Sequence, residues 1–234
     1  MYPDPAGGGG QVPFCQYFAA WWTTTQTFSG TKLNAAPYNQ IKPKKPLNPA
    51  GWVGYMFPSH NNLWRSELIL LDKPVNNAKS KLWQKMEPSS LRDMNLICKG
   101  QYASEKRKGL NSCIKILRQV LGLWTYNVAK SAVLKTQADR IGDALDFFDT
   151  NMPTIQPSGA KYQKMGLKAE WDQFIKIRTD AVIQKHTKFL DDYSDMLSKH
   201  VNSLKSNASP KQIQREQKLS IAIALRPTWT NPFP

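Results

Sequence analysis

Apolar positions recur at three- and four-residue steps over two long stretches of the chain. In the first, from about Ser104 to Asp149, Leu110, Ile114, Leu117, Leu121, Trp124, Val128, Ala132, Ala138, Ile141, Leu145 and Phe148 fall on one helical face. In the second, from about Leu167 to Leu204, Trp171, Ile175, Val182, Phe189, Tyr193, Met196, Val201 and Leu204 do the same. Pro153, Pro157 and Gly159 break the pattern between them. At 1.5 Å per residue each stretch makes a helix of roughly 55–70 Å. Two such helices joined by a short connection predict an antiparallel helical hairpin, the start of a bundle. Gly109, Gly122 and Gly142 either weaken the first helix or mark close packing against it.

The flanks read differently. Residues 1–50 carry seven prolines and four consecutive glycines, Gly7 to Gly10, which predict an extended arm. Within it Phe14, Tyr17, Phe18, Trp21 and Trp22 stand at helical spacing. A solvated arm does not hold so many large aromatics, so they are expected to bury against the chain's own core or against a neighbouring subunit as an assembly arm. Residues 51–100 begin with two β-prone runs, Trp52–Phe57 and Leu68–Leu71, around a Pro58-Ser59-His60-Asn61-Asn62 turn, and predict a β-hairpin. Two short helices are expected after it. Asn76 or Asn77 caps one through Ala78, Leu82 and Met86, and Ser90 starts another through Leu91, Met94 and Ile97. The long helical hairpin then takes residues 101–206. In residues 207–234, Ser209-Pro210-Lys211-Gln212 has the form of a capping box with proline at the first helical position. The alternation of Leu219, Ile221, Ile223 and Leu225 predicts a strand, followed by a tail holding Trp229 and Phe233. The fold class is mainly α: a long antiparallel helical hairpin or bundle, extended N- and C-terminal arms and a small β-hairpin.

Charge changes the picture most. The 234 residues carry 32 Lys+Arg against 17 Asp+Glu, a formal net charge of +15. The excess is spread along the chain, not gathered in one tail. Such a balance predicts a polyanionic partner: nucleic acid, an anionic membrane face or an acidic protein. No apolar run reaches membrane-spanning length, and the first ten residues lack the basic and apolar regions of a signal peptide. A virion or intracellular setting is therefore expected.

Three cysteines, Cys15, Cys98 and Cys113, are few, odd in number and far apart, which argues against a disulfide framework and a zinc site. Cys113 reads as a small buried apolar residue. No two histidines among His60, His186 and His200 share a metal-like spacing, and His186, on the apolar helix face, reads as a hydrogen-bonded core histidine. Asp139, Asp143, Asp146 and Asp149, and then Asp191, Asp192 and Asp195, read as solvated faces paired with Lys or Arg. No nucleophile–base set or phosphate loop is present at recognisable spacing. The expectation is a non-enzyme with no cofactor and no metal.

The basic groups carry the functional reading. Lys42, Lys44 and Lys45 lie in an extended, proline-flanked segment suited to phosphates. Lys106, Arg107 and Lys108 open the long helix, where the helix dipole favours acids, and Lys115 and Arg118 follow on the same face. Lys79, Lys81 and Lys85 flank Trp83. Lys and Arg in such rows neutralise phosphates without reading bases. The layout of residues 1–205, helical subunits with an N-terminal arm and dispersed cations, resembles the coat proteins of filamentous archaeal viruses. That resemblance implies a self-assembling subunit that enwraps DNA, and it carries no residue roles. The expected function is a sequence-nonspecific nucleic-acid-packaging protein with duplex DNA favoured over RNA and copies of itself as partners. An accessory structural subunit of a ribonucleoprotein or organellar membrane complex is the alternative. A helical toxin or effector is the third.

Overall fold

The computed structural model describes residues 1–7, 9–24, 32–58, 63–68, 71, 73–85, 91–99, 106–152, 161–204 and 209–234; at 32, 85, 91–93 and 106–108 it describes the backbone alone. The chain is mainly helical, with a small antiparallel sheet of β1 (Tyr2–Pro3) and β2 (Gln11–Val12). The helices are α1 (Phe14–Phe18), α2 (Pro49–Gly54), α3 (Lys73–Lys85), α4 (Leu91–Cys98), α5 (Lys106–Asn151), α6 (Leu167–Leu204) and α7 (Pro210–Ala224). A π-helical turn, Ala19–Thr23, continues α1. The two long helices start and stop within about two residues of the places where their apolar period begins and ends. Over residues 133–175 they run antiparallel: Lys164 meets Asp146, Lys168 meets Asp143, and Trp171 Nε1 donates to the Ala138 carbonyl at 2.9 Å.

The chain forms two compact units, Met1–Ile69 with Val133–Ile175, and Leu70–Ala132 with Lys176–Pro234. In the first, the N-terminal aromatics close over the end of α5. Tyr17, Trp21 and Trp22 are fully buried with Phe148, Met152 and Tyr162. Trp22 meets Phe148 edge-on, with ring centres 6.4 Å apart, and Tyr17 stacks on Tyr162 at 5.6 Å. These three side chains therefore belong to the chain's own core and are not available to grip a neighbour. Phe18 is half-buried and Phe14 exposed.

The same unit holds the correction to the expected hairpin over residues 51–72. Trp52 and Val53 lie in α2, not in a strand. The Asn48 side chain accepts from the Gly51 N–H at 2.7 Å, and Pro49 occupies the first turn, so a capped helix start overrides the β propensity that follows. Helical spacing then buries both Trp52 and Met56. Arg140 of α5 ties down the next stretch. Its Nη1 donates to the Met56 carbonyl at 2.9 Å, its Nη2 pairs with Glu67, and its guanidinium lies 3.9 Å from the centre of the Trp64 ring. Of the expected turn Pro58–Asn62, residues 59–62 lie outside the described residues, as do 69 and 70 of the second β-prone run.

Asp149 departs from its acidic neighbours. Asp139, Asp143 and Asp146 pair with Lys135, Lys168 and Lys164, as their spacing suggested. Asp149 is 1% exposed. Its carboxylate accepts from the backbone N–H groups of Met165, Gly166 and Leu167 at 2.9, 2.7 and 3.2 Å, and from the Tyr162 hydroxyl at 2.5 Å. It thus caps α6 from another helix, meeting the positive end of the α6 dipole. Gly166 has φ +72°, the left-handed conformation that lets three successive N–H groups converge on one anion. Burial, with the carboxylate beside it, pushes the Tyr162 hydroxyl far above the usual phenol range, so it stays protonated and donates.

In the second unit α3, α4, α5, α6 and α7 share a core of Leu82, Met94, Leu117, Leu123, Leu190 and Leu219 among others. Here α3 begins at Lys73, earlier than the expected Asn76 or Asn77 cap, because Pro74 sits in the first turn, where no N–H is needed. Residues 219–225 are not a strand: α7 runs through to Ala224 from a complete capping box of Ser209 and Gln212. Glu216, Leu219 and Ile223 point inward at helical spacing, and Ile221 and Leu225 are left 59% and 78% exposed. The cysteine reading is also corrected. Cys113 is buried as expected but is bonded to Cys98, their Cα atoms 5.2 Å apart, because α4 ends beside the second turn of α5; Cys15 is free and exposed.

Of the glycines in α5, Gly142 marks close packing, since an added Cβ would lie 3.1–3.3 Å from Lys168, Trp171 and Asp172. Gly122 does not, because its Cβ would meet only Val75, at 3.8 Å. Gly122→Ala is therefore expected to stabilise the chain by about 0.5–1 kcal/mol, read as a higher urea midpoint, and a lower midpoint would contradict that packing.

Candidate nucleic-acid interface

Much of the positive charge is already answered. Lys135, Lys164, Lys168, Lys188 and Lys199 pair with Asp139, Asp146, Asp143, Asp192 and Asp195. Arg226 pairs with Asp191, and Arg140 with Glu67. Arg178 donates to the Trp83 and Gln84 carbonyls at the end of α3, the helix end that favours a cation. Lys79 lies 5.2 Å over the Tyr126 ring. These cations already have partners within the chain.

What remains gathers most clearly on one face of the second unit. The apolar sides of α3 (Ala78, Leu82), α5 (Ile114, Leu117, Val120) and α7 (Leu219, Ile223) turn into the core. Helical periodicity then sends their polar sides outward. A groove of about 400 Å³ runs between α3 and α5, lined by Lys73, Asn77, Lys81, Lys115 and Gln119 with apolar atoms between them. A second, of about 350 Å³, runs between α5 and α7, lined by Asn111, Lys115, Arg118, Gln119 and Arg215. Lys115 and Gln119 line both. Lys73, Lys81, Lys115, Arg118 and Arg215 are all exposed, and no carboxylate or aromatic ring lines either groove among the described residues. On α7, Lys211 and Lys218 stand one turn either side of Arg215, both exposed.

Of the residues expected to contact a polyanion, Lys115 and Arg118 lie at the centre of this face. Lys106, Arg107 and Lys108 form the first turn of α5, and their side chains lie outside the described residues. Lys42, Lys44 and Lys45 belong to the first unit. They are exposed on an irregular segment held by buried Ile41 and half-buried Pro43 and Leu47, the extended basic stretch their prolines implied. Lys73, Lys211, Arg215 and Lys218 are not among the residues expected to contact a polyanion. The signal for the α7 row was the four-then-three spacing of Lys211, Arg215 and Lys218, hidden by dividing that stretch into a helix and a strand.

His186 is buried with Nε2 2.9 Å from the Val120 carbonyl, the hydrogen-bonded core histidine its position suggested. No cluster of three or more potential metal ligands occurs among the described residues, and no helix there is long and apolar enough to cross a membrane. Comparison with protein-family models, curated proteins and solved structures returns no match.

Proposed function

We propose that this chain is a structural protein that binds the phosphate backbone of nucleic acid without reading its sequence, and that assembles with copies of itself to package it, as a viral coat subunit does. One observation carries the reading: five exposed cations from three helices converge on two grooves with no carboxylate among their described lining residues. Cations free of internal partners release counterions when they meet phosphates, and that release supplies affinity without base contacts. Duplex DNA is the favoured polymer. Proteins that hold single strands stack bases on aromatic rings, and these grooves have none among their lining residues. Support for self-assembly comes from Ile221 and Leu225, one turn apart on the outer side of α7 and highly exposed, the kind of apolar surface that a neighbouring subunit covers.

The test is nuclease protection during co-sedimentation. Mixed with long duplex DNA of arbitrary sequence, the chain is expected to form fast-sedimenting particles in which the DNA resists digestion. Complete digestion, with the protein remaining at the top of the gradient, would overturn the proposal.

A further inference from the structure

Beyond α7 the last residues, Arg226–Pro234, run without regular structure and are strapped to their own unit at discrete points. The Arg226 guanidinium pairs with Asp191 at 2.8 Å and lies 5.3 Å from the centre of the Trp124 ring. Trp124 Nε1 donates to the Pro227 carbonyl at 2.7 Å. Asn231 Nδ2 donates to the Lys176 carbonyl and to Asp180, at 3.0 and 2.7 Å. Between these ties Trp229 is sunk into the core, edge-on to Trp124 and to His186 with ring centres 5.5 and 6.1 Å away.

His186 is the titratable group beneath this strap. Its Nε2 faces the Val120 carbonyl and so carries the ring proton, while Nδ1 is buried with no hydrogen-bond partner among the described residues. A second proton would place a charge and an unanswered N–H in a buried aromatic pocket. The charged group whose field reaches the ring is Arg226, at the root of the strap, and it opposes that proton; Asp191 pairs with Arg226. Burial is the larger effect, and together they hold the imidazole neutral down to about 4. Trp229 Nε1 is also buried without a partner, so water entering on opening would answer both groups.

We infer that the C-terminal segment Arg226–Pro234 is an acid-released latch, in which a proton on His186 is accommodated only when Trp229 leaves its seat and admits water. The latched state favours the neutral ring and the open state takes the proton at the ordinary value of 6.5. Latching is thus fully favoured above that value and weakens as pH falls from 6.5 towards 4, by up to about tenfold per unit.

Hydrogen exchange of the full chain near pH 7 and near pH 5, corrected for intrinsic rates, tests this. Protection of the tail, and of the Trp124 indole N–H bonded to it, is expected to fall about tenfold or more at the lower pH, while α6 away from His186 keeps its protection. His186→Gln retains a donor for the Val120 carbonyl, keeps Asp180, Asp191 and Arg226, and cannot titrate. Its tail is expected to exchange alike at both values. Should that variant fail to fold, NMR titration of the imidazole decides: Trp229→Ala is expected to move His186 up towards 6.5 from its depressed wild-type value. Tail protection that ignores pH, a His186→Gln tail that keeps the wild-type pH response, or a His186 titration unmoved by Trp229→Ala would each overturn the latch.

Discussion

Replacing Asp149 with alanine is expected to lower the unfolding free energy by about 3–5 kcal/mol, a large share of what holds a domain of this size together. The carboxylate satisfies three backbone N–H groups at the start of α6 and one phenol, all within 3.2 Å. Alanine leaves those donors buried without an acceptor, and each such loss costs about 1–3 kcal/mol. The damage reaches the N-terminal aromatics, because Trp22 Nε1 donates to the Tyr162 hydroxyl at 3.1 Å and that hydroxyl donates to Asp149. Asp149→Asn keeps the shape and one acceptor oxygen but turns an NH2 group towards backbone donors, so a smaller loss of about 1–2 kcal/mol is expected. Urea unfolding followed by tryptophan fluorescence measures both. An alanine variant as stable as the wild type would contradict the cap.

The second large effect is on binding. Reversing Lys115, Arg118 and Arg215 together to glutamate is expected to reduce the steepness of the plot of log affinity against log salt by about 2.7, if each cation neutralises one phosphate. Affinity near physiological salt should fall on the order of 100-fold, and by the same factor for unrelated sequences. Lys188→Gln with Lys199→Gln is the control. These cations are already answered by Asp192 and Asp195 one turn away, so their loss should leave the slope unchanged. All five side chains are exposed, and stability should change little. A triple variant with the wild-type slope would remove the α3–α5–α7 face from the account. Reversal of Lys106, Arg107 and Lys108 then asks whether the basic row continues to the start of α5.

The long helices were legible because an apolar residue every three or four positions, sustained over about forty residues, leaves strand and loop readings no room. The α7 start was equally plain in Ser209-Pro210-Lys211-Gln212, and His186 in its place on the apolar face. Elsewhere short-range propensity misled. The run Trp52–Phe57 is β-prone, but Asn48-Pro49 had already begun a helix. Leu219, Ile221, Ile223 and Leu225 alternate as a strand would, yet a capped helix was under way and propagation is easier than nucleation. Other features rested on long-range meetings that no local pattern encodes. Nothing in the Asp139–Asp149 row distinguishes the one carboxylate that turns inward to cap α6. The Cys98–Cys113 bond needs the end of α4 to fold back beside α5. The basic face shows the same division: Lys115 and Arg118 announce themselves by helical spacing, whereas Lys73 and Arg215 join them only through packing of α3 and α7 against α5.

The exposed cations of the α3–α5–α7 face are proposed to bind a phosphate backbone. Equilibrium binding of the purified chain to duplex DNA and to single-stranded RNA, across a salt series and with two unrelated sequences of each, decides this. Binding is expected to be indifferent to sequence, tighter for the duplex and steeply weakened by salt. Absence of binding to either polymer at low salt would contradict it and assign the charge to a protein or lipid partner.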